Sequence, residues 1–379
     1  MSRTADDLLQ IIADNAARDV SEAQSLPPEI YHHPEILNLE NERLFQRGWI
    51  CVGRTAEMPD PGDYICFDIV DQGVFVIRQK DGSVKAFPNV CLHRCSRLLE
   101  GRGHVSRISC PYHSWTYELG GQLIGAPFMQ KTAGFDKSDH KLKPLRCETW
   151  QGFIYVSLSP DATAISEQLA QLGDVVADFH MADYVPVYEA HDVWETNWKC
   201  LVENFMDVYH LHRVHSDSFS KYGSSEDQTT LLPGGDAFAY HFVQDEPGPH
   251  SVKPHSTNNW LEGDQRLRTY LINVFPTHLI QLQPDMLWYL SIQPQGVDKV
   301  SIHWAVSIPG EILDNADDRQ AEIDSVMSLL HQVNGEDKKA VEGVYRGTRS
   351  TDARQGPLSY LERNCWDFAR YLAREFRVQ

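Results

Sequence analysis

From Trp49 to about residue 158 the chain alternates short runs rich in Val, Ile, Tyr and Phe with Gly, Pro and Asp, the runs falling at 63–69, 72–79, 84–88, 105–109, 115–118 and 152–158. Short β-branched and aromatic runs bounded by turn residues predict strands. Asp81-Gly82 between two of them predicts a hairpin. A small antiparallel β domain with loops inserted between its strands is expected here. On either side the period changes. Leu8, Ile11, Ile12 and Ala16 recur at helical spacing and predict an amphipathic helix over 4–20, stopped by Pro27-Pro28. Residues 38–48 predict a second short helix, with Leu39, Leu44 and Phe45 facing inward.

After the β region, an Ala-, Glu- and Asp-rich stretch over 162–182 predicts a helical linker. A strand over 186–195 and a helix over 197–213 follow. Residues 224–268 are polar, carry Gly and Pro, and read as long loops over a pocket. Strand patterns return at 269–275, 278–283, 286–294 and 298–307, with a hairpin at Pro284-Asp285. Helical patterns occupy 311–333, 336–347 and 358–377. The expectation is an α+β chain: a helical segment at 1–45, a β domain at 46–160, and at 161–379 an antiparallel sheet crossed by a long helix.

Composition narrows the function classes. Of 379 residues, 42% are hydrophobic, ample for a buried core, and the net charge of -19 leaves no basic block to neutralise phosphates, so nucleic acid is not an expected partner. No apolar run approaches the ~18–20 residues of a membrane span. The eight cysteines are not spaced as a disulfide framework, and the acidic N-terminus lacks a signal-peptide layout. A cytoplasmic protein with free thiols is expected.

Two of those thiols carry chemistry. Cys91-Leu-His93 and Cys110-Pro-Tyr-His113 each pair a thiolate with an imidazole, with sixteen residues between His93 and Cys110. A structural zinc site usually pairs like with like. One Cys and one His from each half suits a [2Fe-2S] cluster in which one iron takes both thiolates and the other both imidazoles. A second constellation lies in the predicted helix 197–213 and just beyond it. Asp207 and His210 are three apart, on one helical face shared by Asn204. His215 joins them only if the helix bends after His210. His212 points to the opposite face, so it is read as a core or substrate-facing imidazole. Two His and one carboxylate on one side of an iron leave positions open for dioxygen. The carboxylate comes from elsewhere, and Asn334-Gly335-Glu336-Asp337, read as a helix start, supplies either Glu336 or Asp337.

These motifs together resemble the catalytic α subunit of the Rieske non-haem iron oxygenases over nearly the whole chain. Trp49, Gly62-Asp63-Tyr64, Cys91-x-His93-Arg94 and Cys110-Pro-Tyr-His113-x-Trp115-x-Tyr117 carry the first half of the resemblance. Asn197-Trp-Lys, Glu203-Asn204, Asp207-x-Tyr-His210, His215, Glu336-Asp337, Glu342 and Gly347 carry the second. The resemblance implies a Rieske domain followed by a helix-grip catalytic domain. It implies cluster ligands Cys91, His93, Cys110 and His113, and iron ligands His210, His215 and Asp337. It also implies a homotrimer in which Asp207 bridges His113 of one subunit to His210 of the next, with Asn204 orienting that relay or touching bound oxygen. The chain departs from the family at Cys95 and Ser114, where glycine is common; Cys95 is expected to be a lone thiol in packing.

The implied activity is that of a terminal oxygenase fed by NAD(P)H through a flavin reductase, directly or by a ferredoxin. Residues 91–148 hold nine Lys/Arg against five Asp/Glu, a docking face for an acidic electron donor. Monooxygenation, as hydroxylation or oxidative N- or O-dealkylation of a small aromatic or N-methylated substrate, is the first reading, since the single-chain length and the short, loop-light Rieske domain resemble the family's monooxygenases and oxidative dealkylases; most of the many aromatics between Phe205 and Tyr289 are read as core, and a few suit a pocket for a ring or a quaternary ammonium. Ring cis-dihydroxylation of an arene or aromatic acid is the alternative. A Rieske electron carrier fused to a ligand-binding domain is the alternative of another class.

Overall fold

The computed structural model describes residues 3–218, 228–245 and 261–377. Two compact units emerge: residues 45–167, and residues 1–44 together with 168–379.

The smaller unit is built of short antiparallel strands: β1 (Ile50–Arg54), β2 (Asp63–Ile69), β3 (Gln72–Arg78), β4 (Val84–Pro88), β5 (Arg102–His104), β6 (Ile108–Ser109), β7 (Thr116–Tyr117), β8 (Leu123–Gly125), β9 (Arg146–Trp150) and β10 (Phe153–Ser157). They form three sheets, ordered β1-β10-β9, β4-β3-β2-β5 and β6-β7-β8. The predicted runs at 63–69, 72–79, 84–88 and 152–158 recur within a residue or so. Of the run at 105–109 only Ile108-Ser109 is strand, as β6, while β5 lies just ahead of it at Arg102–His104, where no strand was expected. Strands β1, β8 and β9 were not expected. The β9–β10 hairpin turns through Gln151-Gly152, both at positive φ (50° and 82°). That is the turn which matches strand twist, but with Gln where Asn or Asp would have signalled it.

The larger unit carries a seven-stranded antiparallel sheet. Its strands are β11 (Tyr184–Trp194), β12 (Thr229–Leu231), β13 (Phe238–Gln244), β14 (Arg268–Val274), β15 (His278–Leu282), β16 (Leu287–Pro294) and β17 (Val300–Pro309), in the order β11-β17-β16-β15-β14-β13-β12. The stretch 224–268 is therefore not all loop. Phe238, Tyr240 and Phe242 alternate with period 2 and place β13 inside the sheet. Parts of that stretch, 219–227 and 246–260, lie outside the described residues.

The helices are α1 (Ala5–Ala16), α2 (Pro34–Glu40), α3 (Ile165–Gln168), α4 (Ala170–Val176), α5 (Trp198–Met206), α6 (Leu211–Val214), α7 (Gly310–Asn315), α8 (Arg319–Gly347) and α9 (Arg363–Glu375). Two differ from expectation in ways that shape the site. Helix 197–213 is not continuous: α5 ends at Met206, and Asp207 takes an extended backbone (φ −84°, ψ 118°). The breaks expected around 334–335 do not occur. The 29-residue α8 runs through Asn334-Gly335, because Met327, Leu330, Val333, Val341 and Tyr345 are buried along it. Their burial outweighs the ~1 kcal/mol that a mid-helix Gly costs. Glu336 and Asp337 are thus mid-helix residues. No described helix is long and apolar enough to cross a membrane.

Helix α5 is anchored to the N-terminal segment by a buried ion pair. Asn197 caps α5 by accepting from the Lys199 N–H. Lys199 Nζ then lies 2.6 Å from Glu40 Oε1, and Trp198 Nε1 donates to Glu40 Oε2 at 2.8 Å. The lysine and glutamate side chains are 1% and 0% exposed. Removing one partner of such a pair strands the other charge in a dry site. Lys199→Met or Glu40→Gln alone is expected to cost about 3–5 kcal/mol in denaturant unfolding, and the double variant less than either. Additive losses would show that the two charges are not coupled.

Candidate metal centres

The two Cys/His motifs fold as a matched pair of loops. The Cys91 N–H donates to the Ser96 carbonyl at 2.8 Å and the Cys95 N–H to the Cys91 carbonyl at 3.0 Å. In the second loop the Cys110 N–H donates to the Trp115 carbonyl at 2.8 Å and the Ser114 N–H to the Cys110 carbonyl at 3.0 Å. Cys95 and Ser114, each four residues after its cysteine, both sit at φ 58°. That left-handed conformation is the physical reason glycine suits these positions. Cys95 is exposed and does not pack in the core, contrary to expectation, because its loop turns the side chain outward.

Within the loops the four sequence-predicted residues come together. The His93 and His113 rings lie 4.7 Å apart between centroids. Cys91 and Cys110 are both buried and interact directly. Tyr117 of β7 reaches Cys91 Sγ at 3.5 Å with its hydroxyl, which also accepts from the Leu92 N–H at 3.1 Å. Burial works to raise the Cys110 thiol, but the backbone N–H groups of Tyr112 and His113 hold it below its ordinary value. His93 stacks on Trp115 (4.9 Å between centroids, 10° between planes), and its buried Nδ1 has no hydrogen-bond partner among the described residues. An oriented, unpartnered imidazole nitrogen beside two buried thiols suits an iron–sulfur cluster.

In the larger unit the break at Asp207 redirects the chain so that His210 precedes the short helix α6 and His215 follows it. The bend lies before His210, not after it, and His210 and His215 converge on α8. His210 Nε2 and His215 Nε2 are 3.2 Å apart; Asp337 Oδ1 is 3.5 Å from the first and 3.1 Å from the second. Separations near 3 Å are those of adjacent ligands around a metal with bonds of about 2.1 Å. Three donors on one side suit a first-row divalent ion such as iron. Asn204 does not contact the Asp207 carboxylate; its Nδ2 donates to Asp337 Oδ1 at 2.8 Å. Asp207 Oδ2 lies 3.4 Å from the other His210 nitrogen, Nδ1, while its Oδ1 accepts from the Tyr209 N–H at 2.6 Å.

The spacing of residues left Glu336 and Asp337 as rivals. The structure uses both. Glu336 Oε2 lies 2.7 Å from His215 Nδ1 and accepts from Ser218 Oγ at 2.6 Å. It fixes the ring so that Nε2 faces Asp337, an orienting role that sequence reasoning missed. Adjacent acids on a helix, about 100° apart, were the signal. His212 is exposed and bonded to the Tyr209 carbonyl at 2.7 Å, so it is neither core nor turned toward the donor set.

Charge in this cluster is balanced by protons. Burial opposes a charged His210, yet the Asp207 and Asp337 carboxylates push it up to about 9. Burial likewise opposes an ionised Asp337, but the two imidazoles hold it well below the carboxylate range. A metal entering the site would displace those protons. One turn of α5 away, Glu203 is pushed up to about 7 by burial, against the Tyr31 hydroxyl that donates to it at 2.6 Å.

Two outcomes follow from these geometries. Ser114→Gly and Cys95→Gly should each stabilise the apo-protein by up to about 1 kcal/mol in thermal unfolding, since glycine adopts φ 58° without strain; losses of that size would refute the strain. Glu203 binds a proton more tightly folded than unfolded, so it lowers stability as pH rises from the ordinary carboxylate value through 7. Relative to wild type, Glu203→Gln should therefore gain up to about 3 kcal/mol between pH 5 and 8 and level off above. A pH-independent difference would overturn it.

Comparison with known proteins places this geometry. Residues 48–138 match the Rieske [2Fe-2S] domain and residues 179–377 the ring hydroxylating alpha subunit (catalytic domain). The glycine betaine monooxygenase oxygenase subunit of Chromohalobacter salexigens is 36% identical over 59% of this chain and 51% of its own length. The carnitine monooxygenase oxygenase subunit of Escherichia coli is 31% identical over 54% of this chain and 56% of its own. The chain thus spans about half the length of these curated relatives. A crystal structure of the quaternary ammonium Rieske monooxygenase CntA in complex with L-carnitine shares the fold, with a TM-score of 0.81 at 23% identity over 96% of this chain and 99% of that one. The Rieske domain implies a [2Fe-2S] cluster and the catalytic domain a mononuclear iron. The chain belongs to the ring-hydroxylating alpha-subunit family, with a Rieske [2Fe-2S] domain ahead of the catalytic domain.

Proposed function

We propose that this chain is the terminal oxygenase of a multicomponent Rieske monooxygenase that removes a methyl group oxidatively from a small N-methylated substrate, in the chemical class of the quaternary ammonium compounds. The observation that carries the reading is the convergence of His210 Nε2, His215 Nε2 and Asp337 Oδ1 within 3.5 Å of one another. The names of the relatives supply the substrate class.

When bound, the cluster supplies single electrons and the iron supplies dioxygen activation. Cys91, His93, Cys110 and His113 hold the first; His210, His215 and Asp337 hold the second. Glu336 and Ser218 keep the proton of His215 on Nδ1, so that Nε2 presents a lone pair. Asn204 orients Asp337 by donating to Oδ1, which leaves that oxygen's other lone pair facing the imidazoles. Asp207 takes the proton side of His210 and, in a homotrimer, meets His113 of the neighbouring subunit; the exposure of His113 on its loop supports this. NAD(P)H reaches the protein through a flavin reductase, directly or by a ferredoxin, docked on the basic stretch 91–148. Eight free cysteines suit a reducing cytoplasm.

The test is metal analysis joined to product analysis. The reconstituted protein should hold about three Fe and two acid-labile sulfides per chain, and His210→Ala about two Fe with both sulfides. Wild type with a generic reductase should release formaldehyde from glycine betaine or carnitine as it consumes oxygen. Asp207→Ala should keep both centres and lose at least about a hundredfold in turnover. Oxygen uptake without formaldehyde would replace demethylation by hydroxylation. Two Fe per wild-type chain would reduce the protein to an electron carrier.

A further inference from the structure

The two cluster loops share one backbone pattern, residue for residue. In each, the cysteine N–H donates to the carbonyl five positions on, and the N–H four positions on donates back to the cysteine carbonyl. That fourth residue takes φ 58° in both. Counted from the cysteines, Leu92, His93, Arg94 and Cys95 therefore match Pro111, Tyr112, His113 and Ser114. The ligands break this symmetry: the first loop carries its imidazole at the second position, the second loop at the third. Tyr112 and Arg94 are thus the residues that stand where the opposite loop has its histidine.

The loops also touch through their side chains, at a buried edge and at an exposed one. At the buried edge Trp115 of the second loop stacks on His93 of the first; Trp115 is 2% exposed and packs in one core cluster with Cys91, Cys110 and Tyr117. At the exposed edge Arg94 of the first loop reaches Tyr112 of the second. Its guanidinium carbon lies 5.6 Å from the centroid of the tyrosine ring, which in turn lies 3.8 Å from the His113 ring. Arg94, Tyr112 and His113 are all exposed, Tyr112 to 56%. Nearby Arg97 pairs with Asp68 at 2.6 Å, whereas Arg94 meets no carboxylate among the described residues and lies over the ring instead. A guanidinium within about 6 Å of a tyrosine face is attracted by the ring quadrupole, and its planar shape suits stacking.

We infer that Arg94 and Tyr112 clasp the two loops at their exposed edge and position the His113 ring. Each loop gives one thiol and one imidazole to the cluster site, so a cluster leaves only when the loops part. Core packing opposes that parting at the buried edge. At the edge open to water the Arg94–Tyr112 contact opposes it, and Tyr112 transmits the restraint to His113 through the face of its ring. Both are positioning residues, acting through His113. The inference rests on the cluster reading above and adds what holds the exposed half of that site together.

The experiment follows the visible absorption and the reduced-state EPR signal of the cluster-loaded full-length protein exposed to an iron chelator. Arg94→Gln should bleach about two- to fivefold faster than wild type, the factor that an exposed cation–π contact supplies. Tyr112→Leu should bleach faster still, because it also uncovers His113, and its EPR g values should move away from those of wild type. Tyr112→Phe keeps the ring and should match wild type in both readouts. With Tyr112→Leu in place, adding Arg94→Gln should change the rate no further. Failure of Tyr112→Leu to take up sulfide, while Tyr112→Phe loads fully, is the limiting case of the same result. Wild-type bleaching in Arg94→Gln, additive effects in the double variant, or g values that move as far in Tyr112→Phe as in Tyr112→Leu would overturn the clasp. So would a changed oligomeric state in either single variant with bleaching unaltered, which would assign the pair to a subunit contact. A wild type without acid-labile sulfide would sink the cluster reading and the clasp with it; a loaded wild type with unaffected variants would sink the clasp alone.

Discussion

Helix α5 has to stop at Asp207. Had it continued, His210 and His215 would have been set five residues apart on one rod, with their rings diverging by more than a quarter turn. The extended residue at 207 turns the chain, and the single turn of α6 brings the second imidazole back beside the first. Everything else in the larger unit serves that convergence from outside. The Glu40–Lys199 pair fixes the start of α5 against the N-terminal segment. The unbroken α8 brings two acids to meet the imidazoles. The site is thus assembled from one helix that ends and one that does not.

Both facts run against what local sequence suggests. Residues 197–213 have good helical periodicity, and nothing in Asp207-Val208-Tyr209 forbids a helix; the break is stabilised by what the side chains reach after it. Asp207 bonds the Tyr209 N–H, and His215 is gripped by Glu336. Conversely Asn334-Gly335 reads as a terminus, and only the buried stripe from Met327 to Tyr345 carries α8 through it. In each case long-range contacts outweigh a local preference of about 1 kcal/mol. Cluster residues were more legible because each motif is local: its loop closes on itself within six residues, through hydrogen bonds between its own backbone groups. For the same reason the strands of the smaller unit with clear turn residues were readable, and β9, whose turn uses Gln151, was not. Asp337 was identified through resemblance. Spacing alone left two acids, and the structure gives each a different task.

The two centres also differ in how charge is managed. At the Rieske loops the protein presents N–H dipoles to sulfur, a neutral way to favour negative charge. At the second centre it presents full carboxylates to imidazoles, and the excess is carried by protons. Metal uptake there is therefore coupled to proton release, and acid competes with the metal. The ring of groups around it is deep: Glu336, Asn204 and Asp207 each touch one member of the donor set, and Ser218 in turn holds Glu336.

His215 and Glu336 stand 121 positions apart in the chain, and Asn204 and Asp337 stand 133 apart. Closing a loop of that size costs conformational entropy that grows only slowly with length but must be met before the contact forms. A metal shared between the His210–His215 turn and α8 is, in polymer terms, a reversible cross-link across a third of the chain. It penalises the open ensemble as a disulfide of that span would, and it can be withdrawn by acid or a chelator. The fold and the reagent then protect one another: whatever retains the metal keeps the sheet's covering helices in place, and whatever loosens those helices releases the metal.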